Sequence, residues 1–364
     1  MSENNETSKN DMQAKSKEQQ AKIASLNDSI SELQNRFANI MAGTTKGGEY
    51  ASTAKVLADT DFGSSFERKR MVIVRAPTNI AFVKYWGKKN VNLNTPINNS
   101  LSATLDPNVM HSETTVKTSA EWLTDTISIN GAEYETVKNN RVLTVLKEMR
   151  FLARRHFSRI ANEIKKKDPE ADLSGLPPLS YFSQKLQITT SNNFPTAAGL
   201  ASSASGFAAL TYGCARLFGI AQDKNLYPRL TEIARQGSGS ACRSMYGGFV
   251  EWEKGEEADG CDSIARQLEV DDHWPELRFV VCVVQSGQKK VPSTQGMIRS
   301  QKTSGFLEFR SETFVDKVLG IMKPAIGKRN FPVLSELIMR DSNQLHAVCL
   351  DTFPPLEYSA LENL

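Results

Sequence analysis

The chain has 364 residues, 23% charged and 8% aromatic, with a formal net charge of +3; this suits one or two globular domains plus unpacked sequence and gives no general basic surface for nucleic acid. Its five cysteines, Cys214, Cys242, Cys261, Cys282 and Cys349, are odd in number and lack CxxC spacing, so neither a disulfide framework nor a cysteine-rich zinc site is expected. No apolar signal core, membrane-length apolar run or peroxisomal C-terminus is present, so the expectation is a soluble, cytoplasmic protein with neither nucleic-acid nor membrane partners.

Residues 1–70 are rich in Ser, Asn, Gln, Lys and Glu and read as a polar N-terminal extension. Within them Ile23, Leu26, Ile30, Leu33, Phe37 and Ile40 alternate at steps of three and four, the seam of a short heptad helix over about 12–41. A lone amphipathic helix docked elsewhere, or a weakly ordered tail, fits the same pattern. Gly47, Gly48 and the polar run to Arg70 read as a linker. From Met71 the texture changes. Strands are expected at 71–75, 80–85, 101–105 and 186–190, and helices over 141–164, from the spacing of Val142, Val145, Leu146, Met149 and Leu152, and over 201–218. A nearly continuous apolar run, Leu277 to Val284, reads as a buried strand. The mix is α+β, without an internal repeat.

Three stretches carry chemistry. Ser191 to Gly206, SNNFPTAAGLASSASG, passes from a strand end through small residues into a helix. Small side chains let the backbone approach an anion, and a helix start offers unpaired amides and partial positive charge, so a nucleotide phosphate suits Pro195, Ala197, Ala198, Gly199, Leu200, Ala201, Ser202 and Ser203. A packed small-residue helix explains the composition equally well. In KYWGK, Lys84 and Lys88 flank Tyr85, Trp86 and Gly87 at a spacing that can aim two ammonium groups at one diphosphate, or else make a basic edge strand with Trp86 in the core. GSGSACRS, from Gly237 to Ser244, offers Ser238, Ser240 and the Arg243 fork, which matches a carboxylate; Cys242 reads as packing because no activating base adjoins it in sequence. Arg141 and the pair Ser293 and Thr294 are weaker signals, explicable as a surface helix cation and a helix-start turn.

PTAAGLASSASG resembles the second motif of the GHMP kinase superfamily. Together with APTNIAFVKYWGKKN from Ala76, RQGSGSACRSMYGGFVEW from Arg235 and MRDSNQLHAVCLDTFPP from Met339, it makes the sequence similar to the mevalonate diphosphate decarboxylase family from about Val72 to Tyr358. The resemblance implies a GHMP two-domain architecture: an ATP-binding domain like ribosomal protein S5 domain 2 over 71–255, and a ferredoxin-like domain over 256–364, truncated here. It implies ATP-dependent decarboxylation of (R)-5-diphosphomevalonate to isopentenyl diphosphate, with Mg²⁺, in isoprenoid and sterol synthesis, by a homodimer. It also implies that Lys84, Arg243 and Ser203 are catalytic and that Ser203 meets the metal. The substrate would lie against Tyr85, Trp86, Gly87, Lys88, Arg141, Ser238, Gly239, Ser240, Ala241, Cys242, Arg243, Ser293 and Thr294. The family's catalytic aspartate sits in a DAGPN-like string that this sequence lacks; Asp262, Asp341 and Asp351 belong to other segments and cannot be assigned its role. Two further readings stay open: a mevalonate-type kinase that does not decarboxylate, and an interaction protein acting through the heptad helix.

Overall fold

The computed structural model describes residues 55–60, 70–135, 139–194, 202–280 and 291–357. The heptad helix and residues 195–201 of the small-residue loop lie outside them.

Two sheets organise the described chain. The first runs β1 (Lys55–Thr60), β2 (Arg70–Pro77), β7 (His111–Ser119), β10 (Lys185–Asn192), β8 (Thr126–Ile129), β9 (Ala132–Glu135). All its pairs are antiparallel except β10 with β8. Along β2 the side chains alternate between buried and half-buried, the period-2 signature of a sheet with one covered face. Val72, Val74, Val116 and Ile188 on that face join one core with α1 (Asn140–Lys167), α2 (Ser202–Leu217) and α3 (Tyr227–Gly237). Helix α1 starts where its sequence says it should: the Asn139 side chain accepts from the amide of Val142 at 3.3 Å, a side-chain N-cap.

The second sheet runs β12 (Ala265–Glu269), β11 (Phe249–Trp252), β6 (Ser100–Thr104), β3 (Asn79–Val83), and a two-stranded ribbon pairs β4 (Lys88–Asn90) with β5 (Thr95–Pro96). Every residue of β11 is buried. Its two faces serve different partners: Val250 and Trp252 enter the first core, while Phe249 joins Phe82, Val83 and Leu101 against α6 (Val315–Gly327) and α7 (Phe331–Asp351). On that second side Glu251 pairs with Lys323 of α6 at 2.6 Å. A third cluster packs Trp86 against Met297 of α4 (Ser293–Thr303), Leu307 of α5 (Gly305–Phe309), and Leu345 and Val348 of α7.

The α+β class is as expected, and the strands and helices from Met71 to Phe218 fall within a few residues of their expected places. Two expectations fail. Lys55–Thr60, read as linker, is strand β1, which continues the sheet along the edge of β2. Leu277 to Val280, the described part of the run read as a buried strand, is not in a strand, and Val280 is 88% exposed. A buried strand needs ladder partners for its amides and carbonyls, and no described strand pairs with this segment.

Because Phe82 is only 2% exposed between the second sheet and α6 and α7, Phe82→Ala should cost about 3–5 kcal/mol. Urea unfolding should show this as a lower midpoint, with the helical and sheet signals moving together.

Candidate active site

Strand β3 stops at Val83, and the chain turns through Lys84, Tyr85, Trp86 and Gly87 into β4. Gly87 is at φ +100°, and a Cβ there would stand 2.5 Å from Cδ1 of Ile97, so both backbone and space require glycine. Gln301 of α4 brackets the next residue: its side chain accepts from the Lys88 amide and donates to the Lys88 carbonyl, each at 2.9 Å. The Lys88 ammonium donates to Thr294 Oγ1 at 3.4 Å.

A chain of neighbours leads on from Lys88. Burial lowers its pKa, and the nearby positive charge of Arg141 lowers it further. Arg141 lies in the first turn of α1, whose positive dipole end disfavours a cation; it is exposed by area, yet partial desolvation holds its pKa below the ordinary arginine value. Its guanidinium sits 5.4 Å from the centre of the Phe207 ring, and that ring occupies the space a Cβ on Gly237 would need. The next residue, Ser238, has its hydroxyl 3.0 Å from that of Ser203 at the start of α2. Contacts thus link Thr294 to Lys88 and Ser238 to Ser203, with Arg141 near Lys88 and the Phe207 ring between Arg141 and Gly237. Ser202 is half-buried and Ser203 exposed beside the unpaired amides of the helix start. Ser293 is the first residue of α4.

Arg243 lies deeper, 3% exposed, at the end of the 3₁₀ turn Gly239–Met245. Its Nη1 donates to Ser100 Oγ at 2.7 Å, and its Nε and Nη2 donate to Asn79 Oδ1 at 3.3 and 3.1 Å. Asn79 in turn donates to the carbonyl of Ser240 and to Ser244 Oγ, which fixes the turn to β3. The Arg243 guanidinium lies 5.8 Å from the Trp252 ring, and Tyr85 packs on the same indole at 4.7 Å. Gly239 fits closely against both aromatics. No described carboxylate stands within ion-pair distance of Arg243. Desolvation therefore pushes its pKa down to about 10, with weaker opposing contributions from Cys242 and Tyr85.

Three side chains expected on the substrate side are enclosed. Trp86 is 2% exposed and its indole N–H donates to Ser300 at 3.0 Å, while Ala241 and Cys242 are fully buried. Trp86 fills the cluster beneath the turn, and Ala241 and Cys242 fill the main core. Burial also pushes the Cys242 thiol up to about 12, in keeping with a packing role. The carboxylates that the sequence left unassigned each accept hydrogen bonds within the fold. Asp262 accepts from the amides of Glu256 and Glu257, Asp351 from Ser304 and the Phe306 amide, and Asp341 from the Lys84 amide. Asn79 and Ser100, which hold Arg243, were missed; the available signal was a polar residue at a buried strand position in each of β3 and β6.

The effect of Arg141 on Lys88 makes a titration test. Arg141→Gln should raise the Lys88 pKa, because a like charge is removed, yet leave it below the usual lysine value, because burial remains. The side-chain carbon shift of Lys88 followed by NMR against pH would read this directly.

A family model described as the diphosphomevalonate decarboxylase-like N-terminal domain matches residues 76–265, and one described as the mevalonate 5-diphosphate decarboxylase C-terminal domain matches 279–361. The human diphosphomevalonate decarboxylase is 48% identical over 287 residues, covering 79% of this chain and 67% of the human one. Among solved structures, mevalonate diphosphate decarboxylase from Trypanosoma brucei superposes with a TM-score of 0.66 at 37% identity, covering 79% of this chain and 69% of that one. MDDEF in complex with MVAPP, AMPPCP and magnesium superposes with a TM-score of 0.62 at 34% identity, covering 80% and 78%. With both family models matched in order, and the cation turn and the arginine turn meeting across one sheet, the chain belongs to the diphosphomevalonate decarboxylase family.

Proposed function

We propose that the described site binds (R)-5-diphosphomevalonate and ATP together and carries out the family's reaction, an ATP-dependent decarboxylation giving isopentenyl diphosphate, carbon dioxide, ADP and phosphate. The observation that carries this reading is Arg243: a buried guanidinium with neutral hydrogen-bond partners and no described carboxylate beside it. A buried unpaired charge is costly, several kcal/mol in order of magnitude, and a substrate carboxylate would offset that cost. Three of its five N–H groups are used by Asn79 and Ser100, which leaves one on each Nη for an end-on fork to carboxylate.

The other residues divide by charge. Lys88 and Arg141, both with lowered pKa and lacking a carboxylate partner among the described residues, suit the diphosphate. Thr294, Ser238 and Ser240 supply hydroxyls, and Lys84 stands at the reacting end. ATP phosphates fit the start of α2, where Ser202 and Ser203 adjoin residues 195–201. No group of three or more His, Cys, Asp or Glu among the described residues could hold a metal. Magnesium, which retains waters and takes much of its coordination from nucleotide phosphates, would meet the exposed Ser203 hydroxyl at the start of α2. When bound, magnesium neutralises phosphate charge.

The chemistry then follows from leaving groups. Hydroxide departs poorly and phosphate well, so transfer of the γ-phosphoryl group of ATP to the tertiary hydroxyl, with release of ADP and of the hydroxyl proton to a base that the residues named here do not include, permits loss of phosphate, and positive charge develops at that carbon. Arg243 holds the carboxylate so that its carbon–carbon bond aligns with the emptying orbital, and Lys84 stabilises the transferring phosphoryl group. A homodimer, a cytoplasmic location, a role in sterol synthesis and a functional division near residue 256 belong to the same proposal. In support of a non-membrane protein, no described helix is long and apolar enough to cross a membrane.

The test is release of labelled carbon dioxide from carboxyl-labelled substrate by the purified chain. ATP-dependent release is expected, and none would overturn the decarboxylase reading for this chain. In Arg243→Met, loss of a buried charge-assisted contact worth ~2–5 kcal/mol should lower kcat/KM by ~30-fold or more; an unchanged value would remove Arg243 from the carboxylate site.

A further inference from the structure

At Lys84 the sheet stops. The last rung of β3 on β6 joins Val83 to Leu101, so the next peptide groups have no strand partner. Buried backbone groups left in that position need substitutes. Here the substitutes are charged and come from the far end of the chain. The Lys84 amide donates to Asp341 Oδ2 of α7 at 2.9 Å, 257 residues away in sequence. The Lys84 carbonyl accepts from Arg310 Nη2 at 2.8 Å and from Asn98 Nδ2 at 3.2 Å. Arg310 and Asp341 are themselves paired, Nη2 to Oδ1 at 2.8 Å, with both side chains fully buried.

The arrangement is braced on each side. Arg310 Nη1 donates to Gln344 Oε1 at 2.6 Å, one turn along α7 from Asp341. Its guanidinium also lies 5.9 Å from the Phe314 ring. Arg310 opens the π-turn Arg310–Phe314 between α5 and α6, and such local widening of a helix recurs at functional sites. A buried ion pair is a poor means of gaining stability, since apolar residues of similar volume often serve as well or better. What this pair supplies that apolar residues could not is a donor and an acceptor aimed at both sides of one residue.

We propose that Arg310 and Asp341 are positioning residues: their buried pair fixes the main chain of Lys84 and so sets where its ammonium group meets the ligand. The inference rests on the role given to Lys84 above. It makes the cation's position depend on α7 and on the π-turn as well as on β3.

The test uses the full chain and two readouts. The first is amide hydrogen exchange. In Asp341→Asn the Lys84 amide should exchange at least tenfold faster while amides of β7 and β10 keep their rates; an unchanged Lys84 rate overturns the proposal. The second is a double-mutant cycle on the affinity for diphosphomevalonate, measured by calorimetry with a non-hydrolysable ATP analogue. Asp341→Asn should weaken binding about tenfold in the native background and hardly at all when Lys84→Met is already present. Equal losses in both backgrounds would mean a purely structural role and overturn the proposal. Arg310→Lys, which keeps the charge and loses the fork, replaces Asp341→Asn in both measurements if that variant does not fold. An affinity unaffected by Lys84→Met alone would instead remove Lys84 from the ligand site, an outcome separate from the exchange result.

Discussion

Positive charge held out of water governs this structure. Arg243 is buried among neutral partners, Lys88 and Arg141 are both partly desolvated, and the charge of Arg141 lowers the Lys88 pKa further. Such groups oppose folding when considered alone. Around Arg243 the fold answers with oriented neutral acceptors: Asn79 and Ser100 occupy buried strand positions where an apolar residue would pack more simply. The strands that carry them therefore act as scaffold and as dielectric at once.

The second sheet makes that compromise workable. Because both of its faces are covered, β11 presents Val250 and Trp252 to one core and Phe249 to another. Trp252 in turn gives Tyr85 and Arg243 a common aromatic surface. Helix α2 enters from the first sheet with Ser203 against Ser238. The start of α2 and the arginine turn thus meet at the Ser203–Ser238 contact.

Much of this was legible in the sequence where chemistry is local. The helix over 141–164 follows from the spacing of Val142, Val145, Leu146, Met149 and Leu152, and the strands near 71–75, 80–85, 101–105 and 186–190 from short apolar runs between turns. The cation turn and the arginine turn could be read because each lies within a few consecutive residues. What could not be read is which side chains face inward where no periodicity decides it. Trp86, Ala241 and Cys242 stand inside recognisable strings, yet their side chains pack the core. Strand β1 was hidden because it lies in a stretch that is polar as a whole, and Leu277 to Val280, the described part of the apolar run, shows that apolar content alone says nothing about whether a ladder partner exists. The partners of Lys84 were invisible for a third reason: they are distant in sequence, and a lone Asp or Arg on a helix carries no mark of its contact.

That distance also bears on how the chain is made. The Lys84 amide and Asp341 are separated by 257 residues, and synthesis at ~5–20 residues per second puts roughly 13–50 s between them. Until α6 and α7 follow, Phe82 and Leu101, and later Phe249, lack the helices that cover them, and the end of β3 lacks in turn Arg310 and then Asp341 to complete its hydrogen bonds. A nascent chain would carry an apolar sheet face open through that wait, so the second sheet would gain from protection by chaperones before α7 leaves the ribosome.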